Sequence, residues 1–576
     1  MANKKFSEFT LKTNSANVDF VVGYDGTDNV RITPANLTGG GGASSLNGLS
    51  DCLVDTLSLY VGEVPSGLSG NPQDNTVLGI DAGASITSAN TCTIIGSNAG
   101  NSITTGNRQT IVGHDAGSSI TTSGSNTIFG YEAGKGISGF SDRNVVVGDM
   151  ACRTSAGDDN VAIGSSAGYS WNNAVEDAVA IGSSASSASN GASGMVAIGR
   201  KAARANTNAG HISIGFEAGY SQTSGSSNTN IGFEAGYSNT TGAFRTMLGY
   251  QAGKSQTGGA NTFIGSLAGG SRSGSGTQNV AIGNNALRYL ENADNTAIGS
   301  AAGQYADSTS SKNVIIGSQA MAGAFGSKSQ NVAIGYQAGF ALTTANNNTL
   351  LGNQAGDAIT TSSDNTFIGG GSGTSANASG TNGKNTGVGR SALSDLSSGT
   401  NNTAMGYNSA PSLSSGSNNV MIGYQADVST GAASNQNSFG YSASCSANNQ
   451  VTLGNSSISA LRCAVTSITS LSDERDKSEI KDLEYGLAFV DALQPREFVW
   501  DNRPETDKDG EEFYSSNKGK KDFGFIAQEV RELDNDTLRL VYSENEERLE
   551  LSYGKLVPIL VKAIQELKEE VELLKS

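Results

Sequence analysis

The stretch Asn331-Val-Ala-Ile-Gly335-Tyr-Gln-Ala-Gly339 decides the fold, because versions of it recur along two thirds of the chain. Variants include Asn75-Thr-Val-Leu-Gly79, Asn160-Val-Ala-Ile-Gly164 and Asn365-Thr-Phe-Ile-Gly369. The closing glycine occurs 23 times, mostly at steps of 16 to 18 residues. It occupies positions 79, 96, 113, 130, 148, 164, 182, 199, 215, 232, 249, 265, 283, 299, 317, 335, 352, 369, 389, 406, 423, 440 and 454. Such a period is typical of stacked structural repeats.

Each repeat begins as a short β-strand in which alternate side chains, such as Val332 and Ile334, point to one face. The glycine and the following Ala-Gly pair supply tight corners and close backbone approach. A unit of this size cannot bury a core alone, but stacking closes its backbone hydrogen bonds and builds a continuous apolar stripe. The repeats therefore predict a parallel β-solenoid or β-roll, with a rod on the order of 100 Å long.

Composition separates the repeats from the C-terminus. Glycine accounts for 76 of 576 residues, whereas there are only 7 prolines and no G-X-Y period, which excludes collagen. Residues 76–463 carry 34 charges, 16 basic and 18 acidic, whereas residues 471–576 carry 43, 16 basic and 27 acidic. Neither part has the basic excess that phosphate binding requires, so we expect no nucleic-acid partner. Five scattered cysteines indicate free thiols rather than a zinc site.

The repeat pattern Asn-x-Val-Ala-Ile-Gly-x-x-Ala resembles the head domains of trimeric autotransporter adhesins over roughly residues 75–460. This resemblance implies left-handed parallel β-rolls packed three together. We expect His114 and His211 to be solvent-facing variants rather than catalytic groups. Variable loops with aromatic residues, such as Tyr169-Ser-Trp171 and Phe340, are the candidate receptor contacts.

The N-terminal segment predicts a small β-unit over residues 6–33, with a turn at Asp25-Gly26. Its phrase Asp19-Phe-Val-Val-Gly-Tyr-Asp-Gly-Thr-Asp28 resembles the start of virion structural proteins of aquatic phages, which implies attachment to a tail or baseplate. The alternative is a hairpin that merely caps the rod.

The sequence changes character at Ser472. The apolar spacing from there to Gln494-Pro495 predicts an amphipathic helix, and Phe523-Gly-Phe-Ile-Ala-Gln-Glu-Val530 follows. The ordered pair of motifs, Ser-Asp-x-Arg-x-Lys and then Gly-Phe-Ile-Ala-Gln-Glu-Val, resembles the intramolecular chaperone domain of phage endosialidases and tail fibres, a self-cleaving serine peptidase family. The resemblance implies a catalytic dyad of Ser472 and Lys477.

The chemistry of such a dyad is intelligible from the residues. A serine hydroxyl needs a base to take its proton, and Lys477 can serve if desolvation or the charge of Arg475 lowers its pKa. A turn or bend would bring the two side chains into reach, and we expect Asp473 to position Arg475 or the backbone. The predicted scissile bond is Leu471–Ser472. The alternative reading makes Ser472 the N-cap of a helix.

The last helix shows a heptad pattern that indicates trimerisation. After Tyr553 the apolar positions are Val557, Leu560, Ile564, Leu567, Val571 and Leu574, which we call the seam. These residues would remain exposed to water without partner helices, unless they pack within the chain.

The sequence thus predicts a mainly β, homotrimeric phage tail fibre with an α-rich C-terminal chaperone ending in a coiled coil. Its domains are a virion-attachment segment (1–45), a connector (46–74), the repeat shaft (75–463), a linker (464–471) and the self-cleaving chaperone (472–576). Expected partners are two further copies, the phage tail or baseplate, and a bacterial surface polysaccharide or protein. We expect assembly in the host cytoplasm, single-turnover autoproteolysis, and no cofactor, metal or membrane insertion. The alternatives are a polysaccharide-degrading tailspike enzyme and a bacterial adhesin, although the start of the chain shows no secretory signal.

Overall fold

The structure is a computed structural model that divides into two compact units, Met1–Lys312 and Asn313–Ser576. The residues it describes are 20–24, 29–32, 52–55, 57–62, 64–69, 71–138, 141–154, 156–172, 174–190, 193–270, 272–307, 309–376, 383–458, 460–462, 472–506, 512–514, 517–534, 537–542, 546 and 549–576. The predicted fold class is confirmed: the chain is mainly β, its repeats form parallel β-solenoid coils, and its C-terminus carries helices.

The first unit begins with two antiparallel pairs. Strands β1 (Phe20–Tyr24) and β2 (Asn29–Ile32) form the predicted hairpin, although its turn at Asp25-Gly26 lies outside the described residues. Strands β3 (Cys52–Asp55) and β4 (Ser58–Gly62) form the second pair, and β4 starts the parallel solenoid. The solenoid strands that follow in this unit are β5 (Thr76–Gly79), β6 (Thr93–Ile95), β7 (Thr110–Val112), β8 (Thr127–Phe129), β9 (Val145–Val147), β10 (Val161–Ile163), β11 (Val179–Ile181), β12 (Val196–Ile198), β13 (Ile212–Ile214), β14 (Thr229–Ile231), β15 (Thr246–Leu248), β16 (Thr262–Ile264), β17 (Val280–Ile282) and β18 (Thr296–Ile298).

The second unit holds further solenoid coils and the C-terminal domain. Its parallel strands are β19 (Val314–Ile316), β20 (Val332–Ile334), β21 (Thr349–Leu351), β22 (Thr366–Ile368), β23 (Thr386–Val388), β24 (Thr403–Met405), β25 (Val420–Ile422), β26 (Gln436–Phe439) and β27 (Gln450–Leu453). Equivalent residues pair between successive coils, as Val314 pairs with Val332 and Ile316 with Ile334. Equivalent positions of the sequence repeat therefore pair with each other and define the register of the sheet.

In strands β6 to β25 the central residue is buried in the core of its coil. Ala333 is fully buried, whereas Val332 and Ile334 on either side of it are only half-buried. Val332 and Ile334 do share one face, as predicted, but that face points outward. The inward residue varies from alanine to Ile111 and Phe263, both also fully buried. Within each unit, the last outward residues of successive strands, such as Leu248 and Ile264 in the first unit, form a continuous apolar row, which we call the outer stripe.

The recurring glycine is required by the corner that follows each strand. All 23 glycines have positive φ, and 22 of them lie between +124° and +143°. At Gly96, a Cβ would lie 2.5 Å from the carbonyl oxygen of Gly113 in the next coil. Glycine therefore supplies both the backbone angle and the close approach of neighbouring coils.

The recurring asparagine forms a buried ladder that joins the coils. The side-chain Oδ1 of Asn313 accepts from the backbone N–H of Asn331 at 3.0 Å, and Asn331 accepts from Asn348 in the same way. The Nδ2 of Asn331 donates to the carbonyl of Ala345 at 3.0 Å. These bonds satisfy amides that would otherwise be costly to bury, which explains why asparagine precedes so many strands.

The C-terminal domain is a small α+β unit. Its strands form three antiparallel pairs, β28 (Arg496–Val499) with β31 (Lys521–Gly524), β29 (Glu505–Thr506) with β30 (Glu512–Phe513), and β32 (Val541–Tyr542) with β33 (Glu550–Leu551). Its helices are α1 (Leu487–Ala492), α2 (Ala527–Asp534) and α3 (Leu556–Lys575), with 3-10 helices at Glu474–Asp476 and Tyr553–Lys555. The core is centred on the buried residues Phe489, Leu493, Val530, Leu540, Val541, Leu556 and Ile559.

The amphipathic helix predicted from Ser472 to Gln494 is wrong in most of its length. Only the 3-10 turn and α1 are helical there, and residues 477–485 are not. Leu483 and Tyr485 pack against the core two positions apart, which an extended chain allows. Helix α1 starts only after Gly486, where its first free N–H, that of Leu487, is bound by Glu566 at 2.6 Å.

Two expectations about side chains in the repeats are also wrong. Trp171, a candidate receptor contact, is buried inside its coil, and its indole N–H donates to Ser186 Oγ at 2.9 Å. His211 is buried as well, whereas His114 is exposed as expected. Trp171 occupies the interior corner that holds isoleucine in earlier coils, and His211 occupies the buried ladder position that asparagine holds before many strands. No helix in the described part of the chain is long and apolar enough to cross a membrane.

Candidate functional site

Ser472 and Lys477 lie in hydrogen-bond contact at the start of the C-terminal domain. The Nζ atom of Lys477 is 2.6 Å from Ser472 Oγ and 3.1 Å from the Ser472 carbonyl oxygen. The 3-10 turn Glu474–Asp476 produces this contact, because it folds the chain back between the two residues. A hydroxyl and an amine at this distance can exchange a proton.

Asp473 and Arg475 form a second pair within the same turn. Asp473 caps the 3-10 helix by accepting from the Arg475 N–H at 2.9 Å, and its carboxylate binds the guanidinium at 2.9 and 2.6 Å. The Arg475 side chain, and then its backbone N–H, hold the pKa of Asp473 below its ordinary value. Asp473 thus positions both Arg475 and the backbone, as the sequence suggested.

The N-cap alternative for Ser472 is wrong, because Asp473 occupies that position and Ser472 instead contacts Lys477. The expected influence of Arg475 on Lys477 also differs, since the Arg475 charge is paired with Asp473. Ser472 and Lys477 are both exposed in the single chain. Leu471, on the acyl side of the predicted scissile bond, lies outside the described residues.

A comparison with protein families identifies this region. Residues 472–539 match the peptidase family described as chaperone of endosialidase. The match begins at Ser472 itself and continues through β31 and α2, which carry the second motif. The first part of the C-terminal domain is therefore similar to the chaperone of endosialidase. No curated protein matches the chain.

The seam of α3 faces away from the core of this chaperone domain. Leu556, Ile559 and Ala563 are buried on one side of the helix. On another side, Leu560 is 44% exposed and Ile564 is 66% exposed, and all six seam residues are exposed. Tyr553 does not continue the seam, because its hydroxyl accepts from Phe525 N–H within the domain.

One further contact that shapes the domain was not predicted from the sequence. Glu566 on α3 accepts the first N–H of α1, and a Cβ at Gly486 would overlap the Glu566 carboxylate. This contact lowers the pKa of Glu566, with a smaller contribution from Lys562. The residues are some eighty positions apart, and the only signal was a glycine immediately before a short apolar run.

The adjacent carboxylates Asp158 and Asp159 in the repeat coils form ion pairs with one arginine. Arg143 binds Asp159 at 2.6 Å and Asp158 at 3.2 Å, and its guanidinium lowers the pKa of Asp159. No cluster of potential metal ligands occurs among the residues that the structure describes.

Proposed function

We propose that the protein is the shaft of a homotrimeric phage tail fibre, attached to the virion through its N-terminus and directed at a bacterial surface receptor. Its C-terminal domain would align three chains and then cut itself off beside Ser472. The observation that carries this proposal is a chaperone-of-endosialidase domain placed after β-solenoid repeats. Stacked repeats fold slowly while their strand edges are exposed, so a trimerising domain would bring the three chains into register.

The exposed seam supports self-association. Leucine and isoleucine side chains on one stripe of a 20-residue helix lose favourable burial when they face water. Three copies of α3 that pack through Leu560, Ile564 and Leu567 would cover these side chains. Lysine and glutamate residues lie between the seam positions, as in helices that pair in water.

The outer stripe supports association of the shaft as well. Its apolar side chains are partly exposed in both units, with Leu248 at 42% and Met405 at 43%. The same positions in neighbouring coils continue the apolar surface, so the stripe is contiguous within each unit. Contiguous apolar surface of this kind indicates a protein contact, and a second and third copy of the same shaft present a matching row.

The proposed cleavage uses the contact between Ser472 and Lys477. Ser472 Oγ would bond to the carbonyl carbon of Leu471 while Lys477 accepts the hydroxyl proton. The Leu471–Ser472 C–N bond would then break, with the proton passing to the departing nitrogen, and water would hydrolyse the resulting ester. A neutral amine is favoured by removal of water, and we infer that neighbouring chains in the trimer cover this exposed site and so activate it.

Denaturing electrophoresis tests the cleavage. The wild type should give two bands, for residues 1–471 and 472–576, whereas Ser472→Ala and Lys477→Arg should each give one, because arginine does not accept the proton. Lys481→Ala is the matched control, since Lys481 pairs with exposed Glu484 away from Ser472, and this variant should cleave normally. A full-length wild-type band in a native assembly would contradict the proposal.

Sedimentation of Ser472→Ala protein tests the trimer separately. We expect a trimer that Ile564→Asp in the seam disrupts, because the substitution places a charge between apolar helices. Lys568→Gln, a change on the same helix outside the seam, should leave the trimer intact. A monomeric parent, or an unaffected Ile564→Asp variant, would refute the role of the seam.

A further inference from the structure

The coils between residues 206 and 261 bury several polar side chains at interior positions that are apolar in the first coils, although Met247 remains an apolar strand centre among them. Seven residues after the recurring glycine, early coils place a buried isoleucine, at Ile86, Ile103, Ile120 and Ile137. The same corner is occupied farther along by Gln222, Asn239 and Gln256, and the strand centres there are Ser213 and Asn230. Polar groups in such an interior require hydrogen-bond partners.

Part of this polar interior is satisfied within the protein. Gln222 Nε2 lies 2.8 Å from His211 Nδ1 and donates to the Gly225 carbonyl at 3.0 Å. The backbone N–H of Asn228 also reaches His211 Nδ1, at 3.3 Å. Burial lowers the pKa of His211. The histidine is therefore held neutral, with Nδ1 as an acceptor.

Arg245 is the charged side chain of this interior, and its guanidinium is only partly hydrogen-bonded. It takes the ladder position that asparagine holds at Asn228 and Asn261 in the neighbouring coils, and it is 1% exposed. Its backbone N–H donates to Asn228 Oδ1 at 2.9 Å, and its Nη2 donates to the Gln256 carbonyl at 3.0 Å. Its Nε and Nη1 donate to no acceptor in the described part of the chain.

The charge of this guanidinium is also uncompensated among the described residues. Burial lowers the pKa of Arg245 to about 9, and no neighbouring carboxylate counteracts that effect. Arg245 therefore stays protonated at neutral pH. A buried cation without a counter-charge destabilises the folded chain, and an asparagine at this ladder position would carry no charge to bury. A guanidinium has two edges with paired N–H groups, one formed by Nε and Nη2 and the other by Nη1 and Nη2. Because the Gln256 carbonyl binds only one Nη2 hydrogen, the other edge keeps both of its hydrogens.

We propose that the coils around Arg245 enclose a small hydrated anion of the size and charge of chloride, bound to the free edge of the guanidinium. An anion supplies both the missing acceptor and the missing charge, whereas water supplies only the acceptor. Asn230 Oδ1 and Gln256 Oε1 lack donors in the described structure, and water molecules beside the anion would supply them. This site is independent of the cleavage proposed at Ser472.

Crystals of the full chain grown with sodium chloride, and then with sodium bromide, test the site directly. Anomalous diffraction should show chlorine, and then bromine, within hydrogen-bond distance of Nε or Nη1 of Arg245. Density there without an anomalous signal would mean water only, and a protein carboxylate on Arg245 would mean an internal ion pair. Either result would overturn the proposal.

Thermal unfolding provides a second measurement. At constant ionic strength, chloride should raise the wild-type unfolding temperature above that in gluconate, in a saturable manner. Arg245→Asn restores the ladder residue and should remove this difference, whereas Arg200→Asn, a change at an exposed arginine over Phe216, should retain it. If chloride still raised the unfolding temperature of Arg245→Asn, the anion would bind at another site and the proposal would be wrong.

Discussion

Replacing Gly96 with alanine tests whether the corner glycine holds adjacent coils together. The residue has φ +132°, an angle that essentially only glycine adopts, at a cost of about 1–3 kcal/mol for other residues. The new Cβ would also lie 2.5 Å from the carbonyl oxygen and 2.7 Å from the carbonyl carbon of Gly113. Relieving that overlap separates the coils and weakens the bonds from Gly96 N–H to Leu78 and from Gly113 N–H to Ile95, both 2.8 Å long. With about 0.5–1.5 kcal/mol for each of the two bonds, we expect a local loss of about 2–6 kcal/mol.

Native-state hydrogen exchange measures this local loss, because stability in stacked repeats is a sum over coils. Amides between residues 93 and 113 should exchange at least about 25-fold faster in Gly96→Ala, since each 1.4 kcal/mol corresponds to about tenfold. Gly210→Ala is the matched control: Gly210 has φ +72°, but a Cβ there meets nothing within 4 Å. It should lose only about 1–2 kcal/mol from the left-handed angle. If the amides around residue 210 in Gly210→Ala lost as much protection as the amides around residue 96 in Gly96→Ala, the close approach of the coils would not explain the effect.

Two further predictions concern titratable groups. The pKa of Glu566 is lowered by its bond to Leu487 N–H, so this contact stabilises the chaperone domain above the ordinary glutamate pKa and is lost as pH falls through the lowered value. We expect Glu566→Gln to remove that part of the acid dependence of unfolding, and an unchanged pH profile would contradict the role of the cap. Burial raises the pKa of Cys152 to about 12, so we expect no reaction with iodoacetamide at pH 8 until the coil unfolds. Peptide mapping before and after denaturation checks this, and labelling of the native protein would show that the coil opens.

The sequence determined the solenoid because its signals are local and repeated. The spacing of glycine fixes the corners, and the alternation around Ala333 fixes which side chains share a face. The contact of Ser472 with Lys477 was predictable for the same reason, because five residues need only one turn to meet. The hairpin at β1 and β2 was also readable, since its strands are neighbours in the chain.

The tertiary structure decided which face of each strand is enclosed and which residues distant in the chain come into contact. Alternation divides Val332 and Ile334 from Ala333 but does not say which set is enclosed, because the answer depends on how the chain closes around the coil. The burial of Trp171, His211 and Arg245 follows from that closure. The start of α1 depends on Glu566, nearly eighty residues away, and such a contact leaves no periodic trace in the sequence. Neighbouring residues determine local geometry, whereas the enclosure of a side chain and the pairing of distant residues arise only when the chain has folded.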